Sequence, residues 1–403
     1  MEFGEIEIND ELWGVLRRGQ RNALELAFEY LNQDQIRHSC LVSMPTGGGK
    51  TGVISLLAHF GMQQKILVIC HRSAVREQLV RQLSGEFFTD RLPDREFPLR
   101  QVIDGVGLIE EESVNITTFQ MLSSLPARTL SSLVEAIDLV IVDEGHSEPS
   151  PIWSEISRSF EAHKVIITAT PYRNDLFKFD VSPEWSYVYT YKRALEDRVL
   201  CEPVWGSVRP EGLLQSVRDL LQQQPNTKCI VKCENSDAIE LYAEMFSTEF
   251  SVLAVHQNFS GDPRDNFKSA VPKALKNSSY DVIIHQKKLD EGIDIPQAKV
   301  LILTYDVRSG RELVQTVGRV VRSHQNYDAY ILEVESTSNS SLWQNFLEFD
   351  EYITVRDNCV SFLRSLDTSM LLVRYLDAFP DVSNLTLVLE RSLILKDLTL
   401  IRG

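Results

Sequence analysis

A glycine-rich segment between two apolar runs contains the residues of this sequence that are best suited to chemistry. It reads "MPTGGGKTG" and overlaps the end of the apolar run Cys40–Met44. Glycines let backbone N–H groups converge on phosphate oxygens, and the start of a following helix adds positive potential. The loop residues are Thr46, Gly47, Gly48, Gly49, Lys50 and Thr51. We expect Lys50 to reach the β- and γ-phosphates of a nucleotide, and the Thr51 hydroxyl to bind Mg²⁺.

Two adjacent carboxylates form a second candidate site. The usual phosphate-loop pattern has glycine where this chain has Met44, so the loop alone leaves a glycine-rich turn with an incidental lysine as the alternative. The run "AIDLVIVDEGH" then ends a strand-like stretch in Asp143 and Glu144. Acidic residues at the carboxyl end of a parallel strand lie beside the ligand crevice. We expect Asp143 to hold Mg²⁺ and Glu144 to orient and deprotonate an attacking water, whereas the alternative is a solvated acidic turn.

Three polar side chains near residue 320 share a helical spacing. In "ELVQTVGRVVRSH", Gln315, Arg319 and Arg322 fall at i, i+4 and i+7, which predicts one common face of a helix. Gly318 costs such a helix about 1 kcal/mol but permits close approach of a neighbour. The alternative is a solvated basic face.

The elements that would position these residues alternate between short apolar runs and helical patterns, which predicts an α/β fold with largely parallel sheets. Continuous apolar strands are expected where helices cover both faces of a sheet. The predicted strands are Cys40–Met44, Ile66–Cys70, Leu139–Val142, Val165–Ile167, Cys229–Cys233, Val282–Ile284, Val300–Leu303 and Tyr330–Val334. Predicted helices include Ser73–Leu83 and Glu211–Gln223.

Composition and breaks in the pattern suggest the organisation of the chain. Its 403 residues allow two or three domains. Breaks near Glu202-Pro203 and in the polar run Ser336–Ser341 predict domains at residues 1–201 and 202–336, followed by a mostly helical C-terminal segment at 337–403. No apolar run is long enough to span a membrane, and the acidic N-terminus lacks the shape of a signal peptide. We expect the six scattered cysteines to be buried thiols of a cytoplasmic protein.

In order and spacing, these motifs resemble those of the superfamily 2 helicases and translocases. Asp143-Glu144-Gly145-His146 looks like a variant of the DEAD/DEAH box, with Gly145 where alanine is usual, and the similarity covers roughly residues 17 to 322. The nearest resemblance is to the branch of restriction-enzyme motor subunits and excision-repair helicases. It implies two tandem RecA-like domains with ATP and Mg²⁺ between them. The run "LRRGQ" resembles the adenine-recognition element, with Gln20 as the base-reading residue.

The resemblance also implies contacts to nucleic acid. "ILVICHRSAVREQ" and "ITTFQML" are similar to motifs Ia and Ic, which make Arg72, Thr117 and Thr118 candidates for contacts to the phosphate backbone. "VIITATPYR" matches motif III through Thr168-Ala169-Thr170, whose hydroxyls could link the γ-phosphate site to the nucleic-acid face. His256 is a weak candidate for motif IVa, since a lone histidine before a helix is more often structural.

The remaining motifs lie in the second half of the chain. "DVIIHQKKLDEGIDIP" resembles motif V, with Gly292 and Asp294 near the nucleotide ribose. Gln286 and Lys287 stand where the family often has a threonine that contacts a backbone phosphate. "ELVQTVGRVVRSH" resembles motif VI, which implies that Arg319 and Arg322 reach across an interdomain cleft to the γ-phosphate.

Together these features predict an ATPase, specifically a helicase or translocase that moves along nucleic acid, with DNA favoured over RNA. The formal net charge of −16 argues against a chain coated in basic charge, but it allows a local basic groove. The competing hypothesis is an ATP-gated nucleic-acid sensor or binding module that acts with a partner protein or effector and does not separate strands. A small-molecule kinase is a poorer interpretation because it leaves the arginine-bearing second half unexplained.

Overall fold

The computed structural model describes residues 2–3, 6–34, 38–106, 112–145, 156–170, 181–272, 275, 278–287, 295–307, 309–335 and 337–365. Two seven-stranded parallel sheets dominate these residues, in addition to an N-terminal hairpin of β1 (Glu2–Phe3) and β2 (Ile6–Glu7). The predicted α/β class with parallel sheets is therefore confirmed. In the part of the chain described, no helix is both long and apolar enough to cross a membrane.

The first sheet has the strand order β5-β6-β4-β7-β8-β3-β9. Most of its inner strands are fully buried because helices cover both faces. The strands are β3 (Ser39–Ser43), β4 (Lys65–Cys70), β5 (Gln101–Asp104), β6 (Ser113–Thr118), β7 (Leu139–Asp143), β8 (His163–Thr168) and β9 (Val181–Val188). The helices are α1 (Asp10–Val15), α2 (Arg18–Leu31), α3 (Lys50–Phe60), α4 (Ser73–Arg81), α5 (Phe87–Thr89), α6 (Phe119–Ser123), α7 (Ala127–Ala136) and α8 (Tyr191–Glu196).

The second sheet repeats this architecture with the order β10-β16-β15-β11-β14-β12-β13. Its strands are β10 (Pro203–Val208), β11 (Lys228–Lys232), β12 (Val252–Val255), β13 (Phe267–Lys268), β14 (Val282–His285), β15 (Ala298–Leu303) and β16 (Ala329–Val334). The helices are α9 (Leu213–Gln223), α10 (Ser236–Ser247) and α11 (Gly310–Val317). Each predicted strand has bounds within about two residues of those of an observed strand.

Two C-terminal helices, α12 (Asn339–Thr354) and α13 (Arg356–Ser365), join the two halves. At one end of α12, the Asn339 side chain accepts from the N–H of Val307 and donates to the carbonyl of Tyr305, in the loop after β15. Near its other end, the Asp350 carboxylate accepts the backbone N–H groups of Tyr191 and Lys192, both at 2.8 Å. Helix α12 therefore ties the start of α8 to the second sheet.

All six cysteines are free thiols, of which four are buried and two, Cys201 and Cys359, are partly exposed. The expectation of buried thiols is thus met for the four. Burial raises the pKa of the buried Cys40 and Cys229 thiols above the usual range. Neutral thiols in apolar surroundings are poor nucleophiles, so these two residues act as packing groups.

Candidate nucleotide site between the two sheets

The glycine-rich loop connects the carboxyl end of β3 to the first turn of α3 in a backbone shape that requires glycine. Gly47 and Gly49 have φ angles of 84° and 106°, in the left-handed region. A Cβ on Gly48 would lie 2.9 Å from the carbonyl oxygen of Pro45. No side chain caps the start of α3 at Gly49. The N-terminus of α3 is therefore open to an anion, as a phosphate cradle requires.

Met44, which occupies the usual glycine position of this loop, continues β3 into the core. It is fully buried, and its N–H donates to the carbonyl of Thr168 at the end of β8. Next to it, the Thr168 hydroxyl accepts from the N–H of Thr170 at 3.2 Å and closes a tight turn. Met44, which replaces the usual glycine, thus lies at the end of the strand and does not disturb the three-glycine cradle.

Lys50 and Glu144 form an ion pair in the centre of the site. Their Nζ and Oε1 atoms are 3.0 Å apart, and each side chain is only 13% exposed. Glu144 has a left-handed φ of 52°, a conformation that carries strain in a non-glycine residue. Asp143, the last residue of β7, is 7% exposed and accepts the N–H of Glu144. The structure thus brings together the phosphate-loop lysine and the two predicted carboxylates.

The donors at this site fit Mg²⁺ bound with a nucleotide. Asp143 offers a carboxylate at the end of a parallel strand, and Thr51 offers a hydroxyl in the first turn of α3. Mg²⁺ typically takes one or two carboxylates and fills its other positions with phosphate oxygens and water. No cluster of three or more histidine, cysteine or acidic side chains suited to a metal occurs among the described residues.

Gly145 follows Asp143 and Glu144, and its Cα packs closely against β8. A Cβ at this position would lie 2.2 Å from Cγ2 of Ile166 and 3.3 Å from the carbonyl oxygen of Ile167. Glycine at this point of the box is therefore a packing requirement of this chain. His146, the last residue of the box, lies outside the described residues.

Gln20 lies beneath the phosphate loop. It is 1% exposed, its Nε2 donates to the carbonyl of Gly49 at 2.9 Å, and its Oε1 accepts the N–H of Arg17. A Cβ on Gly52 would lie 2.2 Å from the Gln20 Nε2, which shows how closely α3 rests on this amide. The structure thus connects the predicted adenine-reading residue to the cradle itself.

Arg17 is a site residue that sequence analysis missed. Its Nη1 donates to the carbonyl of Gly47 at 2.6 Å. The signal available in the sequence was its position, three residues before Gln20 in "LRRGQ".

The segment that follows α11 packs directly on the phosphate loop. A Cβ on Gly318 would lie 2.5 Å from Cβ of Thr46, and a Cβ on Gly47 would lie 2.8 Å from Cγ of Arg322. Burial lowers the pKa of the Arg322 guanidinium to about 10, and the positive charge of Arg17 adds to this effect. The two sheets therefore contribute residues to one pocket.

The prediction that Gln315, Arg319 and Arg322 share one helical face is wrong. Helix α11 ends at Val317 with Gly318 as its C-cap, and the lack of a Cβ at Gly318 lets the helix terminus approach Thr46. Arg319 lies in the turn that follows, whereas Arg322 is extended and pairs with Leu200 in an isolated antiparallel bridge. Gln315 remains on α11 and is 5% exposed.

The short connector before β10 holds the Arg322 segment in place. The N–H of Cys201 donates to the carbonyl of Val321 at 2.8 Å. Lys299, fully buried in β15, donates from its ammonium to the carbonyl of Arg322 at 2.7 Å. Leu200 contacts the phosphate loop as well, because a Cβ on Gly47 would lie 3.0 Å from its Cδ2.

The candidate nucleic-acid residues differ in their exposure. Thr117 is fully buried, and Thr118 is 4% exposed with its hydroxyl capping α6 through the N–H of Met121. The Arg72 guanidinium donates to the carbonyl of the exposed Lys287 at 3.3 Å and so links the two halves. The structure thus brings Arg72 to Lys287, but it does not bring the two threonine hydroxyls to the surface.

Gln286 and His256 lie together at the carboxyl ends of β14 and β12. Nε2 of His256 is 3.1 Å from Oε1 of Gln286, and its Nδ1 accepts the N–H of Asn258. Because Nδ1 accepts, Nε2 is the protonated nitrogen that donates to Gln286. Gln286 also donates to the carbonyl of Glu234. The ribose candidates Gly292 and Asp294 lie outside the described residues.

Comparison with known proteins agrees with this geometry. The family model described as type III restriction enzyme, res subunit, matches residues 14–173, and the helicase conserved C-terminal domain matches residues 212–324. "Putative ATP-dependent helicase IRC3" of Saccharomyces cerevisiae is 24% identical over 363 residues, which cover 78% of this chain and 50% of the yeast protein. "DNA 3'-5' translocase XPB2" of Sulfurisphaera tokodaii is 24% identical over 128 residues, which cover 32% of this chain and 27% of that protein. This chain thus spans half or less of the length of both relatives.

A solved structure extends the comparison to the fold. The fragment structure of a "putative HsdR subunit of a type I restriction enzyme" from Vibrio vulnificus superposes with a TM-score of 0.59 and 21% identity. The match covers 86% of this chain and 70% of the fragment. Two RecA-like domains in tandem and the matches to the res-subunit and helicase C-terminal family models lead to one assignment: this chain belongs to superfamily 2 of the helicases and translocases.

Proposed function

We propose that this chain is an ATPase that couples hydrolysis of Mg²⁺-bound ATP to movement along nucleic acid, with DNA favoured over RNA. The observation that carries the proposal is the contact of Gly318 and Arg322 with Thr46 and Gly47. The loop after β3 and the segment after α11 line one site. A nucleotide bound in this site would therefore change the distance between the two halves. We take residues 1–201 and 202–336 as the moving domains and 337–403 as an accessory segment.

The ion pair of Lys50 and Glu144 suggests how the site is kept inactive without a nucleotide. Phosphate oxygens would replace the Glu144 carboxylate as the partner of Lys50. Glu144 would then be free to orient a water molecule and accept its proton. When bound through Asp143 and Thr51, Mg²⁺ would neutralise charge on the phosphates.

The remaining residues of the pocket position the nucleotide and sense its γ-phosphate. Arg319 and Arg322 would neutralise charge on the γ-phosphate, and Gln315 would help to orient the reacting groups. Gln20 and the loop glycines would hold the base side and the phosphates, with Gly292 and Asp294 near the ribose. Arginines supplied from a second domain contribute about 10³- to 10⁵-fold in rate.

Contacts to nucleic acid are proposed for the residues at the carboxyl ends of the strands. Arg72, Gln286 and Lys287 are the accessible candidates, whereas Thr117 and Thr118 would need to contribute through their backbone N–H groups or after a local rearrangement. Contacts to backbone phosphates carry little sequence information, so we expect weak sequence preference and salt-sensitive binding. The DNA preference is supported by the similarity to XPB2, which is named as a DNA translocase.

The test is ATP hydrolysis measured alone and with single-stranded, duplex and forked DNA and RNA. We expect DNA to stimulate the wild-type rate, and we expect Lys50→Ala and Glu144→Gln to lower the stimulated rate by about 10²-fold or more. Lys192→Ala is the matched control, because Lys192 forms an exposed ion pair with Glu351 away from the pocket. A wild-type rate that no nucleic acid changes would argue against a nucleic-acid motor.

A displacement assay separates the motor from the ATP-gated sensor. Movement along duplex DNA should release a third strand bound to it in the presence of ATP, and Lys50→Ala should abolish the release. Stimulated ATP hydrolysis without any release would favour the sensor or binding module that acts with a partner protein.

A further inference from the structure

Lys232, the last residue of β11, carries a fully buried ammonium in the second half of the chain. Its side chain is 0% exposed, and its Nζ lies 3.0 Å from Oε1 of Glu312. The same Nζ donates to the carbonyl of Gln286, also at 3.0 Å. A buried ammonium is costly unless it is paired and hydrogen-bonded, and these two contacts help to offset that cost.

Glu312 and Gln286 belong to different parts of the proposed machinery. Glu312 lies in the first turn of α11, the helix that carries Gln315 and leads through Gly318 to Arg319. Gln286 follows β14, and its side chain contacts His256 and Glu234 at the edge proposed for nucleic acid. One ammonium therefore contacts both the helix that precedes the arginine segment and the proposed nucleic-acid edge.

The position of the Lys232 ammonium affects the charged and titratable groups around it. His285 is buried next to it, and burial together with the positive charges of Lys232 and Arg319 holds the pKa of His285 well below its usual range. The Glu312 carboxylate, which also accepts from the Tyr305 hydroxyl at 3.3 Å, balances positive charge in this interior. Charges interact strongly in such buried surroundings. A small shift of the Gln286 carbonyl would therefore change the interaction between Lys232 and Glu312 on α11.

We propose that Lys232 is a positioning residue that transmits occupancy of the nucleic-acid edge, through the Gln286 carbonyl and the Glu312 carboxylate, to the arginine segment after α11. Displacement of Gln286 by a bound backbone phosphate moves the ammonium and, with it, Glu312 and the start of α11. Lys232 thereby links nucleic-acid binding to the rate of ATP hydrolysis. This inference rests on the proposed function of the same pocket.

The same strand offers a matched control. Lys228, the first residue of β11, is 8% exposed and donates to the carbonyls of Ser278 and Tyr280 at 2.7 and 2.6 Å. It therefore holds backbone carbonyls as Lys232 does, but at the other end of the strand. A purely structural role would make the two lysines equivalent in a coupling measurement.

The experiment compares Lys232→Met, Lys228→Met and Glu312→Gln by the ratio of ATP hydrolysis with DNA to hydrolysis without it. Melting temperatures and KM for ATP are measured alongside. We expect the ratio to fall about tenfold in Lys232→Met, within the usual range of coupling between sites, and to fall in Glu312→Gln as well. Lys228→Met should keep the wild-type ratio even where it lowers the melting temperature.

Equal losses of the ratio in both lysine variants would overturn the proposal, as would an unchanged ratio in Lys232→Met. If Lys232→Met does not fold, Glu312→Gln decides, because it keeps the ammonium and its bond to Gln286 and removes only the negative charge of Glu312. An unchanged ratio in that variant overturns the inference. Failure of the proposed function is distinguishable, because wild-type protein would then show no stimulation by any nucleic acid.

Discussion

Gly318 lies so close to Thr46 that a Cβ at residue 318 would come within 2.5 Å of the Thr46 Cβ. Thr46 opens the phosphate loop after the first sheet, and Gly318 ends the helix that follows β15 of the second. The Gly318 backbone therefore packs directly against the Thr46 side chain where the two halves meet. The absence of a side chain at residue 318 sets how deeply the arginine segment reaches toward the loop.

Substitution of Gly318 with alanine should uncouple the two halves. The added methyl group must push the arginine segment away from Thr46, and a displacement of about 1 Å at a catalytic group can cost 10²-fold in rate. We expect Gly318→Ala to lower kcat for ATP hydrolysis far more than it lowers the melting temperature. Gly310→Ala on the same helix is the control, since its Cβ would meet only Leu342 at 3.7 Å. Equal kinetics for the two variants would contradict the assigned role of this contact.

Replacing Gly145 with alanine, the usual residue of the family at this position, should destabilise this chain. The new Cβ would clash with Cγ2 of Ile166, and such overpacking costs about 1 to 3 kcal/mol of unfolding free energy. Denaturation with urea measures the loss. The loss should be smaller in an Ile166→Ala background, where Cγ2 is absent, and a double-mutant cycle isolates this coupling. Strictly additive effects would show that Ile166 is not the obstacle.

Removal of the Asp350 carboxylate should release α12 from α8. Two backbone N–H groups, from Tyr191 and Lys192, would lose their acceptor, which costs about 1 to 3 kcal/mol. We therefore expect Asp350→Ala to lower the free energy of unfolding clearly, as measured by chemical denaturation. The neighbouring Glu351→Gln removes only an exposed ion pair with Lys192 and should leave stability almost unchanged.

His59 should make the protein less stable in mild acid. Burial lowers its pKa to about 4, while its ring contacts the carbonyl of Leu83 at 2.9 Å and accepts the N–H of Arg100 at 3.1 Å. The unfolded chain binds a proton at this residue below about pH 6.5, whereas the folded chain does so only near pH 4. Stability from His59 is therefore complete above pH 6.5 and falls by up to about 3 kcal/mol as pH drops to 4.

The variant His59→Gln should show a flatter decline of unfolding free energy between pH 7 and pH 4. Burial also lowers the pKa values of His163, His285 and His324, and these residues remain in the variant. The difference between the two pH profiles thus reports on His59 alone. Parallel profiles would mean that this histidine does not titrate as its burial requires.

The sequence was sufficient to predict most inner strands of both sheets, because strands covered by helices on both faces are continuous apolar runs. The inner strands β6 and β12 were not among the predicted runs. Leu139–Asp143 and Ala298–Leu303 are fully buried, and both contain the predicted runs. The edge strand β9 could not be predicted in this way. It contains Pro183 and polar residues, which only an edge position tolerates.

The sequence predicted the residues of the candidate site better than it predicted the contacts between them. The type and order of Lys50, Asp143 and Glu144 indicate their grouping, since the carboxyl ends of parallel strands share one edge. Helical spacing suggested that α11 would continue through Arg322, but the helix ends at Val317 and Arg322 pairs with Leu200 instead. Arg17, Leu200 and Lys232 could not be assigned because their partners lie far away in sequence.

The pairing of Leu200 with Arg322 has a mechanical consequence. Leu200 belongs to the few residues that connect the two sheets, and it also contacts the phosphate loop at Gly47. In the proposed mechanism, withdrawal of Arg322 from the loop would move the connector with it. One short stretch of backbone would then both sense the nucleotide and connect the two halves, so that a change at the nucleotide would be passed directly to the second half.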